Sequence, residues 1–109
     1  MSTPTRILTL RLKEGWWRQI QQGIKLEELR LDTPRFRKQL VGREYDEIHL
    51  WLGYPPRTDT SKRMRFAWRG VSERKQVTHP HFGPQPVDLL AIDLSARIDI
   101  PVDAQTRLL

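Results

Sequence analysis

Eight consecutive residues, Gly23-Ile24-Lys25-Leu26-Glu27-Glu28-Leu29-Arg30, set a lysine, a carboxylate and an arginine at short spacing. On a strand, where side chains alternate, Leu26, Glu28 and Arg30 share one face and Leu29 and Leu31 the other. Lys25 falls at a helix-to-strand corner, from which its side chain reaches either face. Brought together beside one helix end, these groups have the chemistry of a site for a phosphate or a polynucleotide. Lys25 would serve as base, Glu28 as acid or base, and Arg30 or Arg69 would clamp a phosphate oxygen. Ribonucleolysis needs such a set: a base near the ribose 2′-hydroxyl, an acid at the leaving oxygen, and cations for the developing charge. A binding module needs only the cations and a stacking ring. The ordinary alternative is a surface ion-pair ladder, whose pairs each contribute only ~0–1 kcal/mol.

Further candidates lie elsewhere in the chain. Residues 63–71 alternate, with Met64, Phe66 and Trp68 on one face and Arg63, Arg65, Ala67 and Arg69 on the other. Cations at regular spacing on a rigid element suit a row of phosphates; a solvated strand face is the plainer reading. The adjacent Trp16 and Trp17 both pack the helix on the sheet in the plainer reading; in the other, one packs and Trp17 lines a cleft or stacks on a base. His79-Pro80-His81 lies in a proline-punctuated loop. With His49 it raises the question of a metal, but rimming a pocket fits better, and His81 joins the candidate ligand-binding residues. No metal or cofactor is expected.

Composition narrows the field. The 109 residues suffice for one small domain, and 38% hydrophobic residues allow a core. There is no cysteine, so disulfides and thiolate metal sites are excluded. No apolar run approaches a membrane span, and the first residues lack the apolar stretch of a signal peptide, so a cytoplasmic protein without a membrane partner is expected. Net charge is +6 and the sequence pI about 10.3, which favours an anionic partner such as RNA, a nucleotide or a nucleoside derivative. Residues 57–75 carry seven Lys and Arg against two acids, whereas residues 76–109 carry two Arg against four Asp. The positive potential should therefore sit over one region.

The elements that must position these residues follow from periodicity. Leu8, Leu10 and Leu12 alternate with Thr9, Arg11 and Lys13 along a half-buried strand, residues 7–13. A helix follows over 14–22, with Trp16 and Ile20 on its apolar side, and Gly23 closes it. Residues 25–31 form the second strand. Thr33 and Pro34 then start a short helical segment over 35–40, ended by Gly42. Residues 47–52 alternate as a third strand, stopped by Gly53-Tyr54-Pro55-Pro56. A polar loop (57–62), the basic strand (63–71), its continuation (73–78) and a last apolar strand (87–98) complete the domain. That last strand should be central in its sheet. Gly70 offers a bulge at which the basic strand bends. The fold class is α+β and strand-dominated: a small mixed barrel of five to six strands, one main helix covering an end. Residues 1–6 and 99–109 are tails around a domain at 7–98.

Gly23-x-Lys25-x-x-Glu28-x-Arg30 after an amphipathic helix resembles the signature of the ASCH domain family, matched at all four positions. The likeness of element order extends from about residue 7 to residue 98. It implies a PUA-like barrel with a cleft beside the signature strand and RNA or nucleoside chemistry. Some members look like ribonucleases; others are acetylcytidine amidohydrolases, in which a signature lysine and threonine and a later glutamate are implicated. Lys25 matches that lysine, but Glu28 stands at the threonine position, and the candidate for the later glutamate, beyond the signature's own strands, is Glu73, in different surroundings. Three functions remain in order: binding of RNA or a nucleotide-like anion, hydrolysis of RNA or a modified nucleoside, and a protein-interaction role for a small basic scaffold.

Overall fold

The computed structural model describes residues 5–99; the proposed first four residues of the N-terminal tail and nearly all of the 99–109 tail lie outside the described residues. Alternating leucines form β1 (Ile7–Leu12), and α1 (Glu14–Gln21) follows after a single residue. Next come β2 (Glu27–Leu31), α2 (Pro34–Leu40), β3 (Glu47–Leu52), β4 (Arg63–Ala67), β5 (Val71–Val77) and β6 (Val87–Asp93). Short 3-10 turns at Thr60–Lys62 and Pro80–Phe82 interrupt the two longest connections. The fold is α+β and strand-dominated, with six strands in two sheets and two helices. Thr33 caps α2 as its sequence indicates: its hydroxyl accepts the Phe36 N–H at 3.2 Å, and Pro34 takes the first helical position.

The first sheet has the order β1-β3-β4, β1 and β3 parallel and β4 antiparallel to β3. Register places Leu8, Ile48 and Phe66 in one cross-strand row and Leu10, Leu50 and Met64 in the next. All six are buried, so this face is the core wall. Trp17 and Ile20 of α1, Leu40 of α2 and Leu90, Ile92 and Leu94 close the core from the other side. The second sheet is antiparallel, order β2-β6-β5, with β6 in the middle as its apolar run predicts.

Two sequence expectations change in the structure. The alternation over 63–71 is not one strand. Gly70, at φ 92°, turns the chain, so that β4 pairs in the first sheet and β5 in the second. The apolar run 87–98 is likewise divided: Asp93 accepts the Ser95 N–H at 2.8 Å and the Ser95 hydroxyl at 2.6 Å, which stops the strand. Residues 96–98 then cross to β4, where Ala67 N–H donates to Ala96 O at 2.8 Å and Ile98 N–H to Arg65 O at 2.9 Å. This crossing ties the sheets together. Among the described residues no ladder closes them into a ring, and β1 and β2 are each an edge strand of their sheet.

Outside the core, a polar clamp fixes α2 to the second sheet. Arg37 donates from Nε and Nη2 to the two oxygens of Asp32, at 3.0 and 2.8 Å, and also meets Glu73. These donated hydrogen bonds hold the Asp32 carboxyl below the usual carboxylate range, against a smaller opposing effect of desolvation. A depressed carboxyl contributes stability that is present above its unfolded pKa and disappears as pH falls through the folded value. Asp32→Asn should therefore be less stable than wild type at neutral pH, with the gap closing below about pH 4. Urea denaturation across that range measures it; a gap independent of pH would assign the loss to something other than this carboxylate.

Candidate functional site

The site begins with the way α1 ends. Gln22 is the C-cap, Gly23 takes φ 74°, and its N–H donates to Ile20 O at 3.1 Å while Ile24 N–H donates to Gln19 O at 3.0 Å. This is the Schellman arrangement, and it requires a residue free to adopt the left-handed region at Gly23. Lys25 N–H donates to the same Gln19 carbonyl at 3.1 Å, so the backbone of Lys25 is fixed to the helix end before β2 begins. The ladder with β6 then sets Glu28 opposite Ile92 and Arg30 opposite Leu90.

On this frame the three charged residues meet. Lys25 Nζ lies 3.7 Å from Glu28 Oε1, and Arg30 Nη2 lies 3.4 Å from Glu28 Oε2. Leu29 N–H donates to Glu28 Oε1 at 3.1 Å. The Glu28 side chain is only 7% exposed, those of Lys25 and Arg30 18% and 23%. An exposed ladder would leave all three in water; here the carboxylate is buried and the cations half-buried above it. Rings flank them. Lys25 Nζ sits 4.4 Å from the Trp16 ring centre, and the Arg30 guanidinium carbon 5.5 Å from that of Phe36. Arg30 Nε is buried without an acceptor among the described residues.

These groups line a cleft of about 300 Å³ at the open edges of β1 and β2. β1 supplies Arg11 and Leu12, with Lys13 just beyond; β2 supplies residues 28–31; α1 supplies Trp16 and α2 supplies Phe36. His79, His81 and Phe82 complete the wall. His81 packs edge-on against Trp16 at 4.7 Å and Phe82 at 4.8 Å between ring centres. Its own N–H donates to His79 Nδ1 at 3.2 Å, which holds the loop in its 3-10 turn. Arg11, Lys13, Lys25 and Arg30 set four cations against the single carboxylate of Glu28. The cleft is positive and aromatic, of a size that takes a small ligand or one unit of a polymer.

Of the residues singled out from sequence, Lys25, Glu28, Arg30 and His81 converge here. Trp17 does not: it is fully buried, and its indole N–H donates to Leu50 O at 3.2 Å. Trp16 takes the place expected for it. Helix packing decides this, because Trp17 and Ile20, three apart, are the buried pair, rather than Trp16 and Ile20, four apart. Arg65 lies on the outer face of the first sheet, donating to Glu47 at 2.9 Å. Glu47 also meets His49 at 3.1 Å, and His49 and then Arg65 hold its carboxyl below the usual range. Arg69 lines a neighbouring groove over the second sheet, not the cleft. Sequence reasoning missed Trp16, Phe36, Phe82, Arg11 and Lys13 as wall residues. The signal for Arg11 and Lys13 was their polar place at the end of β1; nothing in the sequence brings that end to β2.

Comparison with protein-family models, curated proteins and solved structures finds no match for this chain.

The geometry makes Glu28 the brace of the cluster. Glu28→Gln removes a buried carboxylate that two cations share and should cost about 1–3 kcal/mol in urea denaturation. Lys25→Met, which removes a half-buried cation from the same carboxylate, should cost less, about 1 kcal/mol. Wild-type stability in Glu28→Gln would contradict the brace.

Proposed function

We propose that the cleft binds RNA or a nucleotide-like anion, with one base among the rings and its phosphate on Lys25 and Arg30. The observation that carries this reading is the pairing of cations and rings at one place: Lys25 against Trp16, Arg30 against Phe36, and Arg30 Nε without an acceptor. Guanidinium donors fit phosphate oxygens, and an aromatic wall accepts any base face. The excess of cations over the one carboxylate supplies the long-range attraction.

Binding is favoured over hydrolysis by the state of Glu28. Both of its oxygens are engaged, by Lys25, Arg30 and Leu29 N–H, so it orients the cations rather than standing free as a general acid or base. Hydrolysis of RNA or a modified nucleoside is the second reading, with Lys25 as its base. In the proposed architecture the two sheets form an open PUA-like barrel of the ASCH kind. The crossing at residues 96–98 joins its sides, and the gap between β1 and β2 is its mouth.

The test is retention and integrity of a short mixed-sequence single-stranded RNA, with nucleoside monophosphates alongside, at low and moderate salt. Wild type should bind without cleaving, more weakly as salt rises. Lys25→Ala, still folded, should bind about tenfold more weakly, as expected for loss of a charge-assisted contact. Cleavage that stops in Lys25→Ala would replace the binding reading by the hydrolytic one. Absence of binding to either probe would remove both.

A further inference from the structure

The most basic stretch of the chain is not in the cleft, and one of its residues, Arg63, joins a specific arrangement with Arg11 and two rings. On the outer face of the first sheet, register aligns Arg11, Trp51 and Arg63 across β1, β3 and β4. The Arg63 guanidinium carbon lies 4.5 Å from the Trp51 ring centre, that of Arg11 lies 4.9 Å from it, and Arg11 is also 4.5 Å from the Tyr54 ring centre. The side chains thus contact in series: Arg63, Trp51, Arg11, Tyr54. Tyr54 ends the series and is 85% exposed.

The bend carrying Tyr54 is fastened on both sides. Gly53 N–H donates to Leu12 O at 3.2 Å, and Arg63 Nη2 donates to Pro55 O and Pro56 O at 3.3 and 3.1 Å. Neither Arg11 nor Arg63 meets a carboxylate among the described residues. Glu47, the acid on this face, is engaged by Arg65 and His49. Arg11 belongs to both places, since it lines the cleft as well.

We propose that this face is a stacking platform for single-stranded nucleic acid, taking the nucleotides that flank the one held in the cleft. The proposal rests on the cleft reading above and specifies its ligand as a strand rather than a free nucleotide. Charge complementarity selects the occupant: guanidiniums without carboxylate partners meet phosphates, and an exposed tyrosine on a fastened bend offers a base its ring. Ordering of the platform before binding lowers the entropic cost of association.

The experiment compares a mixed-sequence single-stranded RNA octamer with a nucleoside monophosphate on the full chain, with polyglutamate as competitor. Wild type should bind the octamer about tenfold or more tighter than the monophosphate. Tyr54→Ala, at a side chain with little packing to lose, should weaken the octamer about tenfold and leave the monophosphate unchanged. Arg63→Gln should make the fall of octamer affinity with salt shallower by about 0.7 in the log–log slope. If both variants hold the octamer as wild type does, or if octamer and monophosphate bind alike in wild type, the platform is wrong and the cleft reading stands. If the octamer depends on Tyr54 and Arg63 but is indifferent to Lys25→Ala, the platform stands and the cleft reading falls. Competition by polyglutamate as effective as that by unlabelled octamer would make this a face for acidic polymers in general and overturn the assignment to nucleic acid. Failure of both probes to bind would overturn both.

Discussion

The carboxylate of Glu28 is the constraint from which the site follows. A carboxylate removed from water needs donors on both oxygens, and it takes them from Lys25, Arg30 and the Leu29 N–H. That requirement brings together two cations that would repel each other if alone, and turns them towards one cleft. Each cation then rests on a ring, Trp16 or Phe36, which limits the directions it can leave. The cluster keeps a net positive charge, so the same brace that stabilises it also leaves it attractive to an anion. In the proposed binding role, function and stability meet in one residue, and a change at Glu28 should affect both.

Two backbone devices bring the brace to the cleft. The glycine turn after α1 fixes Lys25 through two hydrogen bonds to Gln19 O, independent of any side chain. The ladder to β6 fixes Glu28 and Arg30, and β6 is held by its own burial on both faces. The cleft itself exists because β1 and β2 are both sheet edges. Edges usually carry the hazard of adding a strand from another chain. Here they are faced with charged side chains, Arg11, Lys13 and Arg30, which suit an anionic polymer better than a neutral strand.

The sequence made the local features legible and left the long-range ones hidden. The convergence of Lys25, Glu28 and Arg30 followed from a glycine that ends a helix and a period of two after it, both short-range properties. The Thr33 cap and the buried centre of β6 were readable for the same reason. The tryptophan pair was misjudged because neighbours on a helix lie about a third of a turn apart, and either assignment satisfies a helical period. The break at Asp93 escaped periodicity because apolar alternation continues across it, and at Gly70 the sequence indicated a bend but not the exchange of sheets that makes two strands of one. The arrival of Arg11 and the His79–Phe82 loop at the cleft depends on tertiary packing, to which no residue pattern points. Arg65 and Arg69, on one face of the basic alternation, part company for that reason: one stays on the first sheet and the other lines the groove over the second.

The four tryptophans give the central claim its most direct test, because their indole N–H signals report separately on the cleft, the core and the outer face. Isotope-labelled protein titrated with a nucleoside monophosphate, followed by two-dimensional NMR, reads all of them at once. The account predicts that the Trp16 indole and the amides of Lys25, Leu29 and Arg30 shift together and saturate at one concentration, while the Trp17 indole, bonded to Leu50 O in the core, holds its position. Shifts that leave Trp16 and the β2 amides unmoved, whether absent or confined to another surface, would contradict it.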